Sequence, residues 1–204
     1  YDYIVVGAGT TGSVVARRLA EQDQRPKVLL LEAGPPDKFH PLSKQIIPIA
    51  ASDLLKTDID WEFYTEPNEE ACKALIDNRS YWPRGRVCGG SSSLNAMFYV
   101  RGHPDDFNAW EMEHECKGWS YDSVLPYFKK IEDPTFEVES KNQSFRGKGG
   151  PQKVSIKQPK SEVSDLFIEA CKNKGFKYND DYNGATQDGV AFTQFNTFHG
   201  RRMT

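Results

Sequence analysis

An α/β fold is what this sequence predicts, and three observations carry the prediction. A short apolar, β-branched run, Tyr3-Ile4-Val5-Val6, stops at Gly7-Ala8-Gly9-Thr10-Thr11-Gly12 and gives way to a helix-forming stretch containing Val14, Val15, Arg17, Arg18, Leu19 and Ala20. A second apolar run, Val28-Leu29-Leu30-Leu31, ends on Glu32, twenty residues after the last glycine of the triplet. Near Gly149-Gly150-Pro151 the composition shifts, and a new strand and amphipathic-helix pattern begins. Strand, glycine triplet, helix, strand and acid in that order form the context in which the triplet has physical meaning. Gly7 allows the tight turn, Gly9 lets the backbone approach a pyrophosphate, and Gly12 lets the helix pack closely on the strand. The free amides and positive end of the helix then face the phosphates, and the Glu32 carboxylate accepts the hydroxyls of an adenosine ribose. The first unit is therefore expected to be Rossmann-like and to hold an adenine dinucleotide. A glycine-rich turn without a ligand would leave Glu32 a coincidence.

Composition narrows the classes. With 204 residues the chain holds one large domain or one and a half. A net charge of −3, with mixed and scattered signs, argues against a nucleic-acid surface. No apolar run approaches the ~20 residues needed to span a bilayer. No targeting segment precedes Tyr1, which leaves the compartment open. Cys72, Cys88, Cys116 and Cys171 lie far apart and are expected to be free thiols. His40, His103, His114 and His199 show no zinc-like spacing, so no metal is assigned. Two N-x-S sequons, at Asn78 and Asn142, would matter only in a secreted chain.

Residues 33 to 60 are rich in proline and aspartate, with an apolar patch at Ile46-Ile47-Pro48-Ile49, and read as a long surface excursion. Trp61, Phe63 and Tyr64 would anchor it to the body of the protein. The stretch Tyr81 to Asn95 contains Gly89-Gly90-Ser91-Ser92-Ser93 just before the apolar run Ala96-Met97-Phe98-Tyr99-Val100, and resembles a second helix N-terminus. Its glycines permit backbone approach, and its serines would cap the helix or bind an anion. Helices are expected over Asp105 to Glu115 and over Ser120 to Glu132, the second broken or restarted by Pro126. Beyond Glu132 a polar, glycine-rich linker runs to Pro151. A strand at Val154 and Ile156 follows, then an amphipathic helix from Ser161 to Lys174 with Val163, Leu166, Phe167, Ala170 and Cys171 on one face. The expected division is a dinucleotide-binding domain over 1–150 and a second domain beginning at 151–204.

Three passages together resemble the glucose–methanol–choline (GMC) family of FAD-dependent oxidoreductases: Tyr3 to Gly12 with Leu31-Glu32-Ala33-Gly34, Tyr81 to Trp110, and Gly118-Trp119 through Val124-Leu125-Pro126-Tyr127-Phe128. The middle passage is the family's first signature, and the three span essentially the whole chain. The resemblance implies a Rossmann-like FAD-binding domain followed by the beginning of an α+β substrate-binding domain, truncated at 204. It implies that Gly7, Gly9, Thr10, Thr11 and Gly12 hold the FAD pyrophosphate and that Glu32, with Ala33, takes the adenosine ribose. It places Arg86, Val87, Gly90, Ser91, Asn95, Ala96, Met97 and Phe98 along the pyrophosphate and flavin. Trp61 matches an aromatic near the cofactor, or equally fills the core. Cys88 departs from the family's usual aliphatic residue or tryptophan, from which only a packing difference is expected. Members that attach FAD covalently can carry a histidine where this chain has Leu94, so the resemblance implies non-covalent FAD.

The reaction implied is oxidation of the CH–OH group of a small alcohol. The passage from Tyr81 to Trp110 looks most like that of the choline-oxidising members, while Trp61 to Pro67 also resembles arthropod relatives with other substrates. With choline as substrate, the implied partner is an electron acceptor, a membrane quinone or the respiratory chain, in or on the mitochondrial inner membrane. A glucose-oxidising relative would allow secretion. In this family the catalytic histidine and its partner lie near the C-terminus, so none of the four histidines here is assigned as the base. The chain is expected to be an N-terminal fragment, inactive by itself. Two other readings stay open: a nicotinamide-dependent dehydrogenase, against which the Gly89–Asn95 segment speaks, and a flavin-binding protein without turnover.

Overall fold

The computed structural model describes residues 1–36 and 47–203, so His40 and the part of the expected surface excursion from 37 to 46 lie outside the described residues. The described chain divides into two compact units, Tyr1–Met97 together with the residues from Gly200 onward, and Phe98–His199.

The first unit is built on the expected βαβ arrangement. β1 (Tyr3–Val6) and β2 (Val28–Leu31) pair in parallel, Tyr3 opposite Val28 through Val6 opposite Leu31. A parallel pair needs a crossover, and α1 (Thr10–Ala20) supplies it. Its close seat depends on Gly12, where a Cβ would stand 1.9 Å from the Gly7 carbonyl oxygen. Further on, β3 (Phe63–Tyr64) and β4 (Tyr81–Trp82) form a short antiparallel ladder. Leu54, Ile59, Val87 and Leu94 make a small buried core beneath these turns.

The helix expected to start at the serine run is absent: Gly90–Ser93 form a single 3-10 turn. The reason is local competition for hydrogen bonds. The Ser92 hydroxyl donates to the Gly89 carbonyl (2.7 Å) and that of Ser93 to the Cys88 carbonyl (3.1 Å), so neither caps a helix. Met97, with φ of 62°, then turns the chain out of helical geometry.

The second unit opens with α2 (Pro104–Met112), capped by His103, whose Nδ1 accepts from the Asp105 amide at 3.2 Å. α3 (Tyr121–Ile131) packs on it through rings: Phe107 lies 5.6 Å from Phe128, 6.1 Å from Tyr121 and 5.3 Å from Trp110. Pro126 sits inside α3 without ending it, contrary to the expected break. The division expected near residue 150 also moves. β5 (Glu132–Pro134) pairs in parallel with β6 (Gln152–Ile156), which pairs antiparallel with β7 (Gln194–Phe195), so the glycine-rich stretch between them lies inside this unit. The Gly150 amide donates to the Glu132 carbonyl (3.1 Å), tying that stretch down. α4 (Glu162–Asn173) begins at Ser161 as expected. The face it buries is not the one expected: Ile168 is buried, whereas Val163, Leu166 and Phe167 are exposed. The Asn142 sequon is buried too, its amide donating to Asp180 (2.9 Å). Among the described residues no helix is long and apolar enough to cross a membrane.

Candidate functional site

The first unit carries a cleft of about 1110 Å³. Its floor is the turn between β1 and α1, with Gly7, Gly9, Thr10, Thr11 and Gly12, flanked by Leu31, Glu32 and Ala33 at the end of β2. The backbone geometry here suits an anion. Gly9 is the residue before α1 and has no side chain to cap it, and the first turn of the helix carries no acid. The first amides of a helix lack intrahelical acceptors, so at this floor they and the helix dipole point to phosphate. A second turn comes close to the first. The Gly89 amide donates to the Ala8 carbonyl (2.8 Å), and a Cβ on Gly90, whose φ is +58°, would fall 2.7 Å from the Gly9 Cα. Only glycine permits that approach, and Gly90 and Ser91 line the cleft as a result.

Glu32 is fixed before any ligand arrives. Its Oε2 accepts from the Ala8 amide (2.7 Å) and its Oε1 from the Gly34 amide (2.9 Å). Each carboxylate oxygen keeps a further acceptor site, at the cleft and only half-buried. That arrangement can receive two vicinal hydroxyls.

The opposite wall is aromatic: Trp61, Phe63, Tyr64 and Trp82, with Thr65, Arg84 and Gly85. The rings of Trp61 and Phe63 stack 5.9 Å apart at 4°. Trp61 is 44% exposed, which decides between its two expected roles: it lines the cleft and does not fill the core. Phe63 and Tyr64, paired with Trp82 and Tyr81 in the short ladder, likewise line the cleft. The Arg86 guanidinium lies over the Trp61 ring at 5.2 Å without itself lining the cleft, and that of Arg84 over Trp82 at 5.4 Å.

Other expected site residues are not brought to the cleft. Val87 is fully buried beside Leu94 in the core, its carbonyl accepting from the Gly90 amide (2.7 Å), and it does not line the cleft. Asn95 serves its own turn, accepting from the Met97 amide (3.0 Å) and from Arg202 (2.8 Å). Ala96 is exposed and Met97 buried, and neither lines the cleft. Phe98 belongs to the second unit, 5.5 Å from the Phe195 ring.

Sequence reasoning missed Phe63, Tyr64, Trp82, Arg84 and Gly85 as lining of the site, and Asp60 behind them as the group that bonds their segments. Trp61 and Phe63 reach the same side across Glu62, whose φ of 52° interrupts the extended chain, so strand alternation is not what brings the two rings together. Asp60 gave no signal in the sequence. It is 5% exposed, with Oδ1 accepting from the Glu62 and Arg84 amides (3.0 Å each) and Oδ2 from the Lys56 amide (3.0 Å) and the Tyr81 hydroxyl. Burial works against its ionised form, but the Tyr81 hydroxyl and the three amides outweigh burial and hold the carboxyl below its ordinary range. Burial, and then the bond to Asp60, push Tyr81 up to about 12.

A family model described as GMC oxidoreductase matches residues 1–204. The mitochondrial choline dehydrogenase of Mus musculus is 39% identical over 210 residues, covering 100% of this chain and 33% of that protein. The glucose dehydrogenase (FAD, quinone) of Drosophila pseudoobscura pseudoobscura is 39% identical over 204 residues, covering 100% of this chain and 31% of that protein. Among solved structures, pyridoxine 4-oxidase from Mesorbium loti superposes with a TM-score of 0.86 at 35% identity, over 100% of this chain and 38% of that one. Formate oxidase superposes with a TM-score of 0.81 at 28% identity, over 99% of this chain and 35% of that one. The chain thus spans about a third of the length of the curated relatives it matches.

Proposed function

The chain belongs to the GMC oxidoreductase family, and from that premise we propose that the intact protein is an FAD-dependent oxidoreductase acting on the CH–OH group of an alcohol, with choline as its substrate. The observation that carries the reading is the cleft in which an uncapped helix N-terminus, the Gly9–Gly90 approach and the amide-held Glu32 converge. The parts fit FAD. The first amides of α1 and the backbone at Gly9 and Gly90 would hold the pyrophosphate. Glu32 would take the adenosine ribose, and the wall of Trp61, Phe63 and Trp82 would exclude water from one side. When bound, FAD supplies the two-electron acceptor for the hydride of the alcohol carbon. The chain's own task is binding and orientation, and no histidine among the described residues lines the cleft. The base that takes the hydroxyl proton is therefore assigned to none of them.

Leu94, which has no nucleophilic atom and is packed in the core, supports non-covalent attachment of FAD. Acid precipitation should release the flavin into the supernatant, and colour retained in the pellet would overturn this. The choline assignment implies a mitochondrial, inner-membrane-associated enzyme that passes electrons to a membrane quinone. A second reading, glucose or another alcohol as substrate with a secreted protein, draws on the equal identity of the fly glucose dehydrogenase. Dye reduction by the intact protein with choline, glucose and simple alcohols tests both. Turnover of another alcohol without turnover of choline rejects the substrate and keeps the class. No turnover and no bound flavin rejects the class.

A further inference from the structure

We infer that Asp60 is a positioning residue for this cleft: its carboxylate fixes the aromatic wall that faces the dinucleotide floor. The inference rests on the FAD reading above. Asp60 does not line the cleft, so it acts through others. Its four donors come from three places in the chain, Lys56, Glu62 and the Tyr81–Arg84 segment. Between and beside them stand Trp61, Trp82 and Arg84, which do line it.

The wall needs such a brace because its own ladder is minimal. β3 and β4 are two residues each, and a short two-stranded ladder has little independent stability. The ladder is extended by the Trp61 amide donating to the Arg84 carbonyl (2.9 Å) and the Arg86 amide to the Ile59 carbonyl (2.7 Å), on either side of Asp60. Two of the three amides bound to the carboxylate belong to residues in left-handed conformations, Lys56 with φ 56° and Glu62 with φ 52°. Non-glycine residues rarely adopt that region, and such geometry persists where surrounding bonds over-determine it. The carboxylate supplies those bonds. Its partners are three backbone amides and a phenol, so the carboxylate is held without an ion pair and the guanidiniums of Arg84 and Arg86 stay on the Trp82 and Trp61 rings.

The test measures FAD affinity of the intact protein by flavin and tryptophan fluorescence, together with the visible circular dichroism of the bound flavin. Asp60→Ala should weaken FAD binding about tenfold or more, by loss of an acceptor shared by three part-buried amides and Tyr81, and change the flavin dichroism. Asp60→Asn keeps one oxygen for the Glu62 and Arg84 amides and should restore most of the affinity and the wild-type dichroism. Tyr81→Phe should weaken binding about threefold, one bond of four being lost. If the alanine variant does not fold, the phenylalanine variant decides. A folded Asp60→Ala, or failing that Tyr81→Phe, with wild-type affinity and dichroism overturns the inference. A wild-type protein that binds no FAD overturns the cofactor reading instead.

Discussion

Asp60 in the first unit and Glu132 in the second are both buried carboxylates that accept from a tyrosine, and they are stabilised by different means. Asp60 is met only by neutral donors, three backbone amides and Tyr81. Glu132, with no exposed surface, faces two guanidiniums, Arg101 at 2.5 Å and Arg146 at 3.1 Å, besides the Tyr99 hydroxyl (2.9 Å) and the Gly147 amide (2.7 Å). Arg146 also reaches Asp181 at 3.3 Å, so two cations balance two anions. Gln194 and Asn183 fill remaining valences: Gln194 donates to Asp181 (2.7 Å), and Asn183 donates to Gln194 (2.9 Å). The contrast follows the surroundings. In the first unit, amide dipoles and a phenol stabilise one carboxylate. In a closed interior a carboxylate needs counter-charge as well as hydrogen bonds. Such a network adds little net stability over an apolar core, yet losing one member leaves an uncompensated charge.

Removing that member gives the largest expected effect. Glu132→Ala should destabilise the protein by about 3–5 kcal/mol, the usual cost of breaking a buried pair, read as a lower denaturation midpoint. Arg101→Met combined with Glu132→Ala should cost less than the sum of the two single changes. Additive costs would mean that the network does not act as a unit. Next comes Glu32, the acid whose oxygens are held by amides at the cleft. Charged hydrogen bonds are worth ~1.5–3 kcal/mol each, so Glu32→Ala should weaken FAD binding at least about tenfold. Wild-type retention under dialysis would remove Glu32 as the ribose ligand.

The same contrast explains what could be read from the sequence. β1, α1, β2, Glu32 and the glycine floor were legible because they are local: period, turn chemistry and one spacing specify them within about thirty residues. The Gly90 contact with Gly9 was legible in part, since the doubled glycine marked a close approach but not its partner. The network of Arg101, Glu132, Arg146 and Asp181 was not. Its members come from four separate stretches, and each looks like an ordinary surface charge by itself. Asp60 was hidden for the same reason, because its donors are mostly backbone amides, which have no sequence signature. The α4 face failed differently. Periodicity located the amphipathic stripe correctly, yet Ile168 is what this unit buries.

A smaller effect should appear in acid. Asp60 is held below its ordinary value of 3.8 in the folded protein. A group whose folded pKa is depressed contributes stability above its unfolded pKa and loses that contribution as pH falls through the folded value. Asp60 therefore steepens the loss of stability from about pH 3.8 downward. Asp60→Asn should flatten that limb and, at the alkaline end, bring Tyr81 down toward its ordinary value, since Asp60 contributes to its rise. An acid limb of unchanged slope in the variant would show that the amide bonds do not favour the charged form.

The smallest effect lies at the alkaline end and compares the two tyrosines directly. Tyr81 and Tyr99 are both pushed up to about 12, each first by burial; a hydrogen bond to Asp60 adds to the shift of Tyr81, and the nearby Glu132 charge to that of Tyr99. A folded pKa above the ordinary value of 10 means that stability is fully present below pH 10 and is lost as pH rises through the folded value. Ultraviolet titration at about pH 11, where ordinary phenols are largely ionised, should leave both phenols protonated. Tyr81→Phe and Tyr99→Phe should each remove one late-titrating proton. The two should differ in their side effects: Tyr99→Phe takes a donor from a carboxylate that two arginines still hold, and Tyr81→Phe takes one from a carboxylate with only amides left. Tyr81→Phe should therefore loosen its unit more, seen as faster amide exchange at Lys56 and Glu62. Equal exchange in both variants, or all tyrosines ionising together near pH 10 in a folded protein, would erase the distinction between dipole-held and cation-held carboxylates.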